Sequence, residues 1–171
     1  CPSGTTLVAH PADDPNARFC AAGEVRQGPF GRWHEGLPAV MVEGGEYASD
    51  VPTGTWRTWY PSGSQHTEGA RDGTGRSGAW KSWRADRTRE SEGDYAADQR
   101  TGTWTFYWPD GAIESKGDYR ADERTGDWST FYPEGGPDET VTYTAGVRDG
   151  AYTKTHRNGA DAVEGSYDDG L

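Results

Sequence analysis

Residues 102–124 read GTWTFYWPDGAIESKGDYRADER, and this stretch decides the fold. Pro109-Asp110-Gly111 separates two alternating runs. Asp-Gly is a strong hairpin signal there, because a two-residue type I′ loop needs positive φ at both central positions. A loop at Asp110-Gly111 predicts that Trp108 faces Ile113, Phe106 faces Ser115 and Trp104 faces Gly117. The indole then lies over the glycine opposite it, which leaves room for the ring and has its bare backbone covered in return.

The stretch recurs. Gly54, Gly78, Gly102, Gly126 and Gly150 are each 24 residues apart. Two residues on stand Trp56, Trp80, Trp104, Trp128 and Tyr152, and the facing position reads Gly69, Gly93, Gly117, Val141 and Gly165. Two further on come Arg71, Tyr95, Tyr119, Tyr143 and Tyr167. A first copy begins at Gly28, with Phe30, Gly45 and Tyr47, and is two residues longer in its turn around Leu37-Pro38. A fixed period of this length marks an array of supersecondary units. The expected fold is all-β: an elongated antiparallel repeat sheet of six tandem hairpins over residues 28–171, about twelve strands.

Composition and aromatic register together point to a thin structure. The chain has 171 residues, 32% hydrophobic, 25 glycines and a net charge of −11, with a mean hydropathy of −0.99. Those values lean toward disorder, but eight Trp and nine Tyr in fixed register do not. Aromatic ladders, in which each unit touches only its neighbours, reconcile the two. The acidic balance disfavours nucleic acid and anionic lipid, and no apolar run is long enough to span a membrane as a helix.

Residues 1–27 lack the period. Pro2, Pro11, Pro15 and Asp13-Asp14 read as an irregular lead-in folded across the edge of the first hairpin as a cap. Cys1 and Cys20 are the only cysteines. They either form a disulfide closing this lead-in, or Cys1 is the acylated first residue of a lipoprotein and Cys20 is unpaired. Both alternatives place the protein outside the cytoplasm; two reduced cytosolic thiols are the third reading. The chain stops at Tyr167-Asp-Asp-Gly-Leu, where a seventh unit would begin. A terminal strand covered by a partner or another copy, or a longer array, is expected there.

The columns resemble the bacterial variant of the MORN repeat, with units of the form G-x-W-x-x-[YW]-[YH]-x-x-G followed by E-G-x-Y. Gly54-Thr-Trp56, Trp59-Tyr60, Gly63 and Glu68-Gly69 match it. So do Gly102-Thr-Trp104, Tyr107, Gly111 and Gly117-Asp-Tyr119, and Gly126-Asp-Trp128, Phe131-Tyr132, Gly135 and Tyr143. Departures are Arg71 in the tyrosine column, Ala85-Asp86-Arg87 in place of a glycine turn, and Val141. The resemblance implies a non-catalytic scaffold of β-hairpins; such proteins are often antitoxin-like, and many look exported or lipid-anchored.

Reactive groups are weighed against this background. His34 and His156 share a column with Tyr60, Arg84, Trp108 and Tyr132, which reads as structural; His10 and His66 have no ligand partner at metal spacing. No hydrolase, zinc-protease, phosphate-loop or EF-hand motif occurs, and no cofactor is expected. The carboxylate pairs Asp13-Asp14, Glu90/Glu92 and Asp168-Asp169 need a cleft to act as acid and base, which a flat ribbon does not offer. Arg76, Arg100, Arg124 and Arg148 form a column beside each following glycine. They either clamp an acidic partner or answer nearby acids such as Asp98 and Asp122.

Trp33, Trp59, Trp83, Tyr107 and Phe131 fall on the opposite face to the ladder of Phe30, Trp56, Trp80, Trp104, Trp128 and Tyr152, flanked by carboxylates. They are the candidate binding surface, although a ladder that only stiffens the sheet has the same pattern. Three functions follow: an exported interaction scaffold that docks a protein or copies of itself, a carbohydrate-binding module, or an immunity-type protein that neutralises a toxin.

Overall fold

A computed structural model of the chain describes residues 1–9, 11 and 14–171. Among these residues there are fourteen strands and no helix. They form two compact units, Cys1–Arg87 and Thr88–Leu171. The first holds β1 (Thr6–Ala9), β2 (Ala17–Ala22), β3 (Val25–His34), β4 (Leu37–Ala48), β5 (Val51–Trp59), β6 (Gln65–Asp72) and β7 (Gly75–Trp83). The second holds β8 (Arg89–Ala96), β9 (Gln99–Tyr107), β10 (Ile113–Arg120), β11 (Glu123–Phe131), β12 (Pro137–Thr144), β13 (Val147–Thr155) and β14 (Asp161–Tyr167). Inside each unit the strands pair in sequence order, and every pair is antiparallel.

The strands beyond the expected twelve lie in the lead-in, which is not irregular: β1 pairs with β2, and β2 with β3. Phe19 stands opposite Phe30, and Ala21 faces Arg26 where the later pair is Tyr119 and Arg124. The pairing persists while its marker residues are gone, so the sequence shows no period there. Cys1 is disulfide-bonded to Cys20 of β2. His10 and Asp13 lie outside the described residues.

The turns exchange the roles expected of them. Phe106–Ser115 and Trp104–Gly117 pair as expected, but Ile113 pairs with Tyr107, not Trp108. Gly111 N donates to Trp108 O and Trp108 N to Ala112 O, so Pro109-Asp110-Gly111 is a three-residue loop. Only Gly111, at φ 92°, is left-handed in it. Pro109 favours this outcome, because its fixed negative φ is excluded from the first position of a type I′ turn. Two-residue turns with positive φ at both positions occur instead between successive repeats, at Ser49-Asp50, Ala97-Asp98, Ala121-Asp122 and Ala145-Gly146. In the first repeat His34 pairs with Leu37 across Glu35-Gly36. The two additional residues therefore enter β4 as bulges and do not lengthen the turn.

Arg87 takes the left-handed position, at φ 75°, that Gly63, Gly111 and Gly135 take at φ 81°, 92° and 91°. A Cβ is disfavoured there by about 1 kcal/mol. Arg87→Gly is therefore expected to stabilise the protein by about 1 kcal/mol, read as a rise in the urea midpoint at unchanged slope.

The core is an indole ladder, and each indole covers a glycine of the preceding hairpin. A Cβ on Gly45 would stand 2.4 Å from the Trp56 ring, one on Gly69 2.2 Å from Trp80, on Gly93 2.3 Å from Trp104, and on Gly117 2.4 Å from Trp128. The sequence placed Trp104 over Gly117. The Cα register agrees, but the ring leans the other way, over Gly93. The reason is a bulge: Glu92 pairs with Thr105 and Asp94 with Thr101, so Gly102 to Trp104 stand against Gly93 alone.

Gly102, at φ 62°, turns the chain there. The bulge interrupts the ladder, and the indole N–H takes up a carbonyl beside it. Trp80 Nε1 donates to Ala70 O at 2.9 Å, Trp104 Nε1 to Asp94 O at 3.1 Å and Trp128 Nε1 to Asp118 O at 3.0 Å. Tyr119 stands edge-on to both Trp104 and Trp128, with centroids at 6.2 and 5.0 Å. Trp104, Trp128 and Val141 are 4%, 3% and 2% exposed.

This geometry explains two departures from the pattern. Val141 faces Tyr152, the one following aromatic of the second unit that is not Trp, and fills the space an indole would take. Arg71, where tyrosine is usual, stacks its guanidinium 4.9 Å from the Trp56 centroid.

Candidate interaction surface

Successive side chains of a strand point to opposite faces, which places the second aromatic column. Gly93 lies under Trp104, while its neighbour Glu92 accepts the Tyr107 hydroxyl at 2.6 Å. Gly117 lies under Trp128, while Lys116 reaches to 5.8 Å from the Phe131 centroid. In the first unit Gly45 meets Trp56 while Gly44 meets Trp59. Trp33, Trp59 and Trp83 in one unit, and Tyr107 and Phe131 in the other, are all half-buried.

Charged groups frame these rings. Arg18 stands 4.9 Å from the Trp33 centroid, Arg57 pairs with Glu68 at 2.6 Å, and Arg89 pairs with Glu92 beside Tyr107. Within each unit these rings are partly wet and stand among paired charges.

The histidine column braces hairpin ends. Tyr60 Oη donates to Trp83 O at 3.1 Å, Trp108 Nε1 to Phe131 O at 3.2 Å and Tyr132 Oη to Thr155 O at 2.8 Å. His34 Nε2 makes the same bond to Trp59 O, at 3.1 Å. A column holding Tyr, Trp and His thus has one requirement, a long side chain with an N–H or O–H at its tip. His66 lies 4.5 Å from the Tyr60 ring centroid. Among the described residues no cluster of three His, Cys, Asp or Glu could hold a metal.

The arginines lie over the ladder. Arg100 Nη1 donates to Tyr119 Oη at 2.9 Å while Nε pairs with Asp122 at 2.8 Å. Arg124 and Arg148 donate to Tyr143 and Tyr167 at 3.2 and 2.9 Å, and Arg76 lies 5.9 Å from the Trp80 centroid. Arg26 repeats the pattern with Asp50, whose carboxyl is held below its usual range by hydrogen bonds from the Arg26 backbone and side chain. Guanidiniums so engaged have fewer donors left for a clamp on an acidic partner.

The second unit is not flat. A groove of about 380 Å³ is lined by Trp108, Glu114, Thr130, Asp138, Glu139 and Arg148, among others. Two of its acids are answered by cations: Glu139 by Arg148 at 4.0 Å and Asp138 by Lys154 at 3.8 Å. Asp14, in the lead-in, is 3.8 Å from Arg32.

Three phenols titrate above their ordinary range. Burial and the bond to Glu92 raise Tyr107, the Asp138 carboxylate beside it raises Tyr132, and burial raises Tyr152. In the unfolded chain these groups ionise near pH 10, so above that pH the unfolded state holds fewer protons than the folded one. Their stabilisation is complete below about pH 10 and is lost as pH rises through the elevated folded values. The urea midpoint is expected to fall as pH rises above about 10, and less steeply in the Tyr107→Phe/Tyr132→Phe/Tyr152→Phe variant.

A family model described as the MORN repeat variant matches residues 100–121, which run from Arg100 of β9 through the Pro-Asp-Gly loop and past the end of β10. The match falls on a hairpin in which the indole, glycine and tyrosine columns are all intact, with Trp104, Gly117 and Tyr119. No curated protein matches the chain. Among the described residues no helix is long and apolar enough to cross a membrane.

Proposed function

We propose that the protein is a non-enzymatic interaction scaffold, exported to the cell envelope or exterior, that holds a protein partner along its half-exposed aromatic column. The observation that carries this reading is the repetition of that column. Trp33, Trp59 and Trp83, then Tyr107 and Phe131, present a ring at equivalent positions in successive hairpins while the other ladder is buried. Aromatic rings bordered by polar groups suit a protein interface, and the similarity to a MORN repeat supports the same class of role. The Cys1–Cys20 disulfide supports an oxidising compartment, and it occupies the thiol that a lipid anchor would need.

Two half-buried indoles can be removed without emptying the buried ladder, so the test is Trp59→Ala/Trp83→Ala. A stoichiometric partner recovered from the native source and rebuilt from purified components is expected to lose about tenfold or more in affinity. Undiminished affinity contradicts the reading. Arg18 and Lys116 already cover Trp33 and Phe131, which weakens the alternative of sugar stacking. Glycan binding lost in the same variant would reinstate that alternative, and a partner whose toxic activity falls in the complex would identify the immunity role.

A further inference from the structure

The groove of about 380 Å³ in the second unit opens where one repeat departs from the repeat before it at two positions. Phe106 packs its ring 6.0 Å from Trp104 and 6.3 Å from Trp128, and the residue 24 positions on is Thr130. Thr130 stands between Ser115 and Glu139 in the strand register, so short or polar side chains lie here where the preceding repeat has a ring. The same repeat loses a carboxylate. Asp122 N donates to Arg100 O at 3.1 Å and the Asp122 side chain pairs with Arg100 at 2.8 Å. In the next turn Gly146 N donates to Arg124 O at 2.9 Å, and glycine brings no side chain to answer the guanidinium.

The two ends of the groove carry opposite charge. At the hairpin-loop end stand Glu114, Asp138 and Glu139, beside the half-buried Trp108 ring that its bond to Phe131 O holds in place. Asp138 and Glu139 have Lys154 and Arg148 at 3.8 and 4.0 Å, whereas Glu114, also half-buried, has no cation in ion-pair reach among the described residues. At the other end Arg124 lies 4.3 Å from the Trp128 centroid and donates to Tyr143 Oη, with no carboxylate in reach among the described residues. Trp128 and Val141, both buried, form the floor between them. Glu139 and Tyr143 mark the two ends on β12, about 13 Å apart at the usual rise of a strand. A cavity of this volume, with an apolar floor and a few polar groups, suits a small ligand.

We propose that the groove binds a short extended peptide chain through a pair of opposite charges, an ammonium against Glu114 and a carboxylate against Arg124, with an apolar side chain over Trp128 and Val141. A guanidinium takes a carboxylate by two parallel N–H···O bonds, and an aromatic ring beside the acids adds to the attraction for a cation. An extended chain covers about 3.3–3.6 Å per residue, so three or four residues reach from one end to the other. The charges come from the two termini of a free peptide or from a Lys and a Glu side chain of a protein segment. The floor is the buried ladder and not the half-exposed column, so neither proposal depends on the other.

The test titrates two tetrapeptides into the full chain, isotopically labelled: Gly-Leu-Leu-Gly with free ends, and acetyl-Lys-Leu-Leu-Glu-amide. At least one is expected to bind with a Kd of about 1 mM, with amide shifts confined to the residues around the groove, and the one that binds identifies the source of the charges. Acetylating the amine of that peptide, or Glu114→Gln in the protein, is expected to weaken binding about tenfold, and the two together no more than either alone. Thr130→Phe, which restores the ring of the preceding repeat, is expected to abolish binding with the urea midpoint at or above that of the parent. Glu114→Gln removes a charge from a half-exposed side chain without changing its shape, so it carries the test if Thr130→Phe does not fold. No binding of either peptide up to about 10 mM, shifts elsewhere on the protein, or losses from acetylation and Glu114→Gln that simply add would overturn the proposal.

Discussion

Trp128→Ala is expected to lower the unfolding free energy by about 4 kcal/mol, the middle of the range for removing a buried large aromatic. The side chain is 3% exposed and touches partners on both sides: Phe106 and Tyr119 at 6.3 and 5.0 Å, Tyr143 at 6.5 Å. Its removal also takes the donor from Asp118 O and leaves Gly117 backbone bare. Phe106 in the same unit is only half-buried, so Phe106→Ala should cost about 2 kcal/mol, less than the indole. Urea unfolding followed by far-UV signal measures both. A loss below about 1 kcal/mol for Trp128→Ala would mean that the ladder does not hold the hairpins together.

The second large effect comes from adding one methyl group. A Cβ at Gly117 falls 2.4 Å from the Trp128 ring, and sheet backbone on one side and packed indole on the other leave it no room to give. Gly117→Ala is therefore expected to destabilise by about 3 kcal/mol, at the top of the range for overpacking. Gly165→Ala, in the same column with nothing near, should fall within about 0.5 kcal/mol of the parent. Val141 opposite Tyr152 shows how the space can be refilled. Gly117→Val combined with Trp128→Tyr should accordingly be less damaging than the two changes summed, by about 1–3 kcal/mol.

The period, the strand content and the Cα register of the central hairpin away from its turn were legible because they depend on spacing alone. Trp104 opposite Gly117 follows from counting. The direction of the ring does not, because it is set by the bulge that Gly102 makes against Gly93 on the previous strand. A signal for this was available in the sequence. The position 11 residues before each of Trp56, Trp80, Trp104 and Trp128 is glycine, and the position 11 before Tyr152 is Val141.

The turns were misassigned for a related reason. Asp-Gly is a strong local signal, but Pro109 restricts φ in that loop, while Ala-Asp and Ser-Asp carry the left-handed pairs despite their Cβ atoms. In that setting Asp50 and Asp122 are held by Arg26 and Arg100 of the strand pair before. The lead-in hairpin was illegible because Ala21 and Phe19 stand where the columns carry tyrosine and glycine. For the candidate surface, alternation gave the face of Trp33, Trp59, Trp83, Tyr107 and Phe131. It could not give the cations and carboxylates laid over them, which come from neighbouring strands.

The central claim is that each indole lies on the glycine of the hairpin before it, and proton NMR tests this directly. The expected result is an upfield-shifted Gly117 Hα pair with nuclear Overhauser contacts to the Trp128 ring, and the same between Gly93 and Trp104. Contacts from Gly117 to Trp104, or glycine Hα shifts at ordinary values, would contradict it.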